Sequence, residues 1–255
     1  SSLIGKVQVS ELQEKHLDKV LKKCQEEGLQ TKSIKVIFAM LNSIITTAKV
    51  NNNPITKEWR EANLEETNNE SERYLNDEEV VLLLETTKDN DILHTFVMLG
   101  LYTGARASAI LEMRKVDIQG DIIKINDHKK RKKSSNDRYS IPLKQSLKEY
   151  LRLDKLSAGD YLVGRTKTPV TYDAINPQLR KIFEELFNGG LDFKKDRKHW
   201  VGAHTLRHTF ASRLAIAGCS IYAIQKLLNH SDITMTSRYS HLAPDNGKDF
   251  LEGMK

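Results

Sequence analysis

"HTLRHTFASRLAIAGCSIYAIQKLLNHSDITMTSRYSHLAPD", residues 204–245, is the stretch on which the reading of this chain turns. Its first five positions set His204, Arg207 and His208 three and four apart, so all three project from one helical face. A cationic face near a helix start, where backbone N–H groups also point outward, suits an anion. Further on, "LLNHSD" supplies His230, and nine positions later "SRYSH" supplies Tyr239. Three readings compete for the opening cluster. The side chains could be structural, capping the helix or pairing with neighbours. A His-x₃-His pair could ligate zinc, but no Glu or Asp intervenes in the HExxH manner and no cysteine stands close by. The third reading is a catalytic face that binds phosphate.

Upstream, "LYTGARASAILEM" (101–113) puts Arg106 just after a glycine turn at the start of a helix. The ordered set of Arg106, His204-x-x-Arg207, His230 and Tyr239 resembles the tyrosine recombinases, the family of phage integrases and chromosome-dimer resolvases. The likeness spans roughly residues 74–244, with 204–245 its most specific part. "YLNDEE" (74–79) is similar to the opening of that family's catalytic domain, and residues 1–60 are similar to a helical core-type DNA-binding domain. Two departures stand out. Ala109 occupies the place, three after the first arginine, where the family usually has an acidic residue. Asn229 replaces the glycine of a Leu-Gly-His box, a change confined to a helix end, since Asn tolerates the left-handed conformation.

The resemblance implies a site-specific DNA recombinase of the integrase or excisionase type. It would work through a 3′-phosphotyrosyl intermediate, with neither metal nor ATP and with no cofactor. Arg106 and Arg207 would grip the non-bridging oxygens of the scissile phosphate, a task for planar bidentate donors. Tyr239 would be the nucleophile, His204 its proton acceptor, and His230 a donor to the phosphate or a positioner of Tyr239. A lysine on a β-hairpin would protonate the 5′-oxygen, and strand alignment from "IIKIN" favours Lys129 or Lys130. His208 and His241 are left without a role, and Tyr102, Tyr139, Tyr150, Tyr161 and Tyr222 with routine helix packing. The implied partners are double-stranded DNA, further copies of the chain in a tetramer on that DNA, and accessory DNA-bending proteins. Two alternatives stay open: a type IB topoisomerase-like strand-passing enzyme, and a non-catalytic DNA-binding protein of the same fold.

Charge agrees with a polyanionic partner. The net charge is +6, yet residues 1–70 carry 10 basic and 10 acidic side chains, so the whole excess falls after them. It gathers in "HKKRKKSSNDR" (128–138) and "KKDRKHW" (194–200). Lys130, Arg131, Lys132, Lys133, Arg138, Lys195 and Arg197 are therefore the expected DNA-binding residues. The longest apolar runs, such as "FVMLGLY" (96–102), are far short of the roughly 20 residues a bilayer requires. The first residues lack a signal-peptide pattern, and Cys24 and Cys219 stand far apart, so the expectation is a cytoplasmic, nucleoid-associated protein with reduced thiols. Neither a GxxxxGK[ST] loop nor a cluster of Asp and Glu at two-metal spacing is present.

The expected fold is mainly α, with a small antiparallel β-sheet in an α+β catalytic domain preceded by a small all-α domain. Residues 9–28 and 31–50 have helical patterning, the first with Ser10 and Gln13 as cap signature and Gly28 as its end. The polar stretch 61–72 suits a linker, which puts a helical domain at 1–68 and the catalytic domain at 69–255, with a C-terminal tail from about 241. Many relatives of the family carry a further N-terminal arm-binding domain. None is evident, and the abrupt start at Ser1 is compatible with a fragment of a longer protein. Two more helices are expected over 74–88, capped by Asn76 or Asp77, and over 91–104, closed by Gly104. "DIIKIND" (121–127) and "RYSIPL" (138–143) read as a hairpin around the basic run.

Overall fold

A computed structural model describes residues 5, 7–64, 73–127, 138–193 and 195–244. By its internal contacts the chain forms two compact units, residues 1–70 and 71–255.

In the first unit a 3₁₀ turn (Val9–Glu11) leads into α1 (Glu14–Glu26), α2 (Thr31–Thr47) and α3 (Lys57–Asn63). Ser10 lies in the 3₁₀ turn and the cap of α1 is Gln13, which exchanges bonds with His16. Leu17, Val20, Leu21 and Cys24 follow the i, i+3, i+4, i+7 pattern and form the buried stripe of α1. They meet Ile34, Phe38 and Ile45 of α2, and Trp59 closes the core with its ring 4.8 Å from that of Phe38. Helix α3 reaches into the stretch read as a linker, and residues 65–72 of that stretch lie outside the described residues. Thr56 caps α3, whose one buried side chain, Trp59, holds the helix together through Asn63.

The second unit contains α4 (Asp77–Thr87), α5 (Asp91–Thr103), α6 (Ala107–Glu112), β1 (Ile118–Gln119), β2 (Ile122–Asn126), β3 (Arg138–Pro142) and α7 (Gln145–Leu151). These are followed by α8 (Tyr172–Phe183), which runs into a π turn over Glu184–Asn188, and by α9 (Ala203–Ile216), α10 (Ile221–Leu228) and α11 (Thr234–Ser237). Asn76 caps α4 in a reciprocal bond with Glu79. Helix α5 is buried nearly all round, with Leu93, Phe96, Val97 and Leu99 inside, and so serves as the central rod of the domain. Gly100 faces α9 closely: a Cβ there would stand 2.7 Å from Leu206 Cδ1.

The sheet is antiparallel in the order β1-β2-β3. The hairpin expected from the sequence is β2 with β3, in register Ile123 to Ile141 and Ile125 to Tyr139. The unexpected third strand, β1, is two residues long, too short for any periodicity to reveal. Ile123, Ile125 and Ile141 face the core while Ile122 and Lys124 face out, as the pleat requires. No helix among the described residues is long and apolar enough to cross a membrane. Cys24 and Cys219 are both free.

Candidate active site

The site starts where α5 ends. Gly104 terminates that helix in the left-handed conformation (φ 60°), which costs glycine nothing. Side-chain space is also lacking, since a Cβ at Gly104 would lie 2.3 Å from Phe210 Cδ1. The reversal makes Arg106 the N-cap residue of α6 and turns its side chain to the end of β2, where the guanidinium pairs with the buried carboxylate of Asp127. Ala109 brings no carboxylate to Arg106, so Asp127 supplies the acidic support from the hairpin instead.

Arg207 rises from α9 into the same place and is only 2% exposed. Nη1 donates to the carbonyl of Gly104 at 2.6 Å and Nη2 to that of Leu228, the last residue of α10, at 2.5 Å. One guanidinium therefore satisfies the frayed C-terminal carbonyls of two helices. Burial, followed by the Arg106 cation, lowers its pKa to about 10, which leaves it charged at neutral pH. Tyr139 of β3 also bonds to Arg207. Burial pushes its phenol above the ordinary range against the pull of both arginines. The packing role expected for Tyr139 is thus incomplete, because its hydroxyl belongs to the arginine cluster.

His230 arrives through α10. Ser220 caps that helix and Asn229 closes it with φ 52°, so asparagine does here what glycine would do. His230 Nδ1 stands 2.8 Å from Thr236 Oγ1, a fully buried hydroxyl on α11. Burial first, then the charges of Arg207 and Arg106, drop its pKa to about 3 and keep the ring neutral. His204 opens α9 on the exposed side. Its ring meets that of His208 edge to face, with centroids 4.8 Å apart.

Tyr239 follows α11 and is 5% exposed, packed with Ala211, Ala215, Ile224 and Leu228. Its phenol acts electrostatically on Arg207. The hydroxyl stands 2.6 Å from Nδ1 of His208, a residue for which the sequence offered no role. His208 is itself buried, and burial together with His204, Arg238, Arg207 and His230 drops its pKa to about 3. Arg106, Arg207, His204, His230 and Tyr239 thus come together from α6, α9, the end of α10 and the end of α11, joined by Asp127, Tyr139 and His208. Asp127 and Tyr139 were beyond sequence reasoning because their roles depend on strand register. The signal for His208 was present in its spacing beside His204.

The basic residues are less concentrated. Arg138 opens β3, exposed, with Nε donating to Asn126 Oδ1 at 2.8 Å. Lys195 and Arg197 are exposed on the loop leading into α9, where Arg197 lies over the Phe193 ring. Lys129, Lys130, Arg131, Lys132 and Lys133 lie outside the described residues. Tyr222, expected in packing, is instead 72% exposed. Among the described residues no three His, Cys, Asp or Glu side chains are grouped to hold a metal ion.

Residues 73–246 match the model of the phage integrase family, a span that includes every described element of the site. The chain belongs to that family. It is 34% identical over 164 residues to the integrase of Escherichia phage 186, covering 64% of this chain and 42% of the relative. It is 31% identical over 178 residues to tyrosine recombinase XerD of Staphylococcus aureus, covering 66% of this chain and 58% of the relative. The chain therefore spans about half the length of these curated relatives. Its fold is that of the Tn1549 transposon integrase solved in complex with transposon right end DNA, with a TM-score of 0.70 at 17% identity over 98% of this chain and 88% of that one.

Proposed function

We propose that this phage integrase family member is a site-specific DNA recombinase that cleaves and rejoins double-stranded DNA through a 3′-phosphotyrosyl bond. The observation that carries the reading is the meeting of buried Arg207 and half-buried Arg106 with two histidines and one tyrosine from separate elements in a single cluster. A phosphodiester repels nucleophiles by its charge, and the 5′-oxygen that must depart from it is a strongly basic alkoxide. Arg106 and Arg207 answer the first difficulty by holding the non-bridging oxygens and the charge that builds in the pentacoordinate transition state. Tyr239 attacks phosphorus, His204 accepts its proton, and His230 donates to the phosphate. The 5′-oxygen takes its proton from Lys129 or Lys130, whose neighbouring cations favour the neutral amine and so make the ammonium a better acid.

The bond energy of the phosphodiester is kept in the tyrosyl ester, so rejoining requires only attack by a 5′-hydroxyl. Lys130, Arg131, Lys132, Lys133, Arg138, Lys195 and Arg197 hold the DNA backbone and supply salt-sensitive, sequence-independent affinity. Residues 1–68 act as a core-type DNA-binding domain and residues 69–255 as the catalytic domain, and exchange takes place in a tetramer on DNA, aided by DNA-bending proteins. The relatives support this reading: one is named an integrase, another a tyrosine recombinase, and the structural neighbour was solved on transposon-end DNA. Incubation with a binding-enriched pool of nicked duplexes in EDTA, followed by SDS, tests it. Protein linked to DNA is expected. Linkage that vanishes on chelation, or never forms, refutes the proposal.

A further inference from the structure

We infer that His208 is the positioning residue of the nucleophile, its Nδ1 accepting the hydroxyl hydrogen of Tyr239 and so fixing where the attacking oxygen sits. The inference rests on Tyr239 being the nucleophile, but the observation behind it is separate. Tyr239 stands between a four-residue helix and a three-residue 3₁₀ turn, elements too short to hold a side chain by their own rigidity. Its ring is buried in an apolar cluster with Ala211, Ala215, Ile224 and Leu228, and apolar packing is non-directional. Such packing buries the ring without fixing its tilt. The 2.6 Å contact with His208 is directional, and it reaches the one atom whose position decides the reaction.

His208 is suited to that work in two ways. It lies one turn beyond His204 on the fourteen-residue α9, buried, with the His204 ring edge-on against it, so its own orientation is fixed. It also stays neutral, because burial and the surrounding His204, Arg238, Arg207 and His230 oppose its protonation. A neutral imidazole with its proton on Nε2 leaves Nδ1 free to accept, whereas an imidazolium could only donate. The division of labour follows. In the resting site the single hydroxyl hydrogen points to His208 Nδ1. At attack the hydroxyl turns that hydrogen to His204, and the O–H bond breaks as the O–P bond forms. Exposed His204 passes the proton to solvent while His208 keeps the phenol in place.

The test compares single-turnover linkage by wild type, His208→Phe and His208→Asn on a nicked duplex that the wild type cleaves. Asn is the informative replacement, since its side-chain oxygen can stand near the place of Nδ1. His208→Phe is expected to slow linkage by roughly tenfold to a hundredfold, the scale of a small misplacement of a reacting group, with half-saturating DNA concentration unchanged. His208→Asn is expected to recover much of that loss. Phe at the wild-type rate, or Asn no better than Phe, overturns the inference alone. Absence of linkage by wild type overturns the proposed function as well. A second measurement does not depend on the His208 variants reacting. In ¹⁵N-histidine spectra of the full chain, Tyr239→Phe should shift the Nδ1 signal that His208→Asn removes. An unmoved signal overturns the hydrogen bond itself.

Discussion

Acidification should destabilise the catalytic domain through His208 in a way that a single substitution can isolate. The group has a pKa of about 3 in the folded protein and 6.5 as its ordinary value. Between those values the unfolded chain binds a proton that the folded chain refuses, so stability rises with pH across that interval. The contribution is complete above about pH 6.5 and is lost as pH falls toward 3. Each pH unit inside the window is worth about 1.4 kcal/mol, so a drop from pH 7.5 to 5.0 removes about 2 kcal/mol. For a domain of this size that corresponds to about 4–8 °C in Tm. His230 shifts in the same direction but is only partly buried, and solvent screening makes its share smaller. The assay is thermal unfolding of wild type and His208→Asn at several pH values between 7.5 and 5.0. His208→Asn will start from a lower Tm through lost packing, so the slope against pH is the quantity to compare. Wild type should lose about 1.4 kcal/mol more per unit than the variant below pH 6. Parallel slopes would refute the placement of a neutral, buried imidazole at this position.

Three further outcomes follow from the same geometry. Asp127→Asn should weaken the hold on the Arg106 guanidinium and lower the linkage rate by about tenfold or more, with DNA affinity little changed; an unaltered rate would show that Arg106 needs no carboxylate. Gly104→Ala should cost about 2–4 kcal/mol by combining a left-handed backbone with a clash on Phe210, measured as a fall in the urea midpoint; a change under about 1 kcal/mol would contradict the tight turn. Asn229→Gly should leave linkage and Tm close to wild type, whereas Asn229→Val should cost about 1–2 kcal/mol because a β-branched residue resists φ 52°; equal behaviour of the two would remove the turn as the reason for Asn229.

The sequence made the functional side chains legible in proportion to how local their signals are. The i, i+3, i+4 spacing of His204, Arg207 and His208 announces a shared helical face, and Gly104 announces the helix end that aims Arg106. The basic run between two β-branched stretches announces the hairpin, and β2 and β3 pair as that pattern implies. Asp127 and Tyr139 carried no such mark. Each acquires its role from a pairing register and from a guanidinium far away in sequence, and period-2 alternation alone gives neither. The two-residue strand β1 is below the length at which alternation exists. Tyr222 went astray for the opposite reason: on a helix with a strong apolar stripe an aromatic reads as core, yet the stripe passes through Ile224 and Leu228 and leaves Tyr222 outside. His208 could have been found, because residues four apart in a helix are neighbours on one face, and the His204 and His208 rings do meet.

Which atom becomes joined to DNA decides the proposed chemistry, and peptide mapping of the covalent product answers that most directly. Protease and nuclease digestion of the SDS-stable adduct, followed by mass spectrometry, should yield one modified peptide bearing a nucleotide 3′-phosphate on Tyr239, and Tyr239→Phe should bind the duplex and give no adduct. A nucleotide found on any other side chain, or an adduct that survives Tyr239→Phe, would contradict the claim that this phenol and the two arginines form the reacting centre.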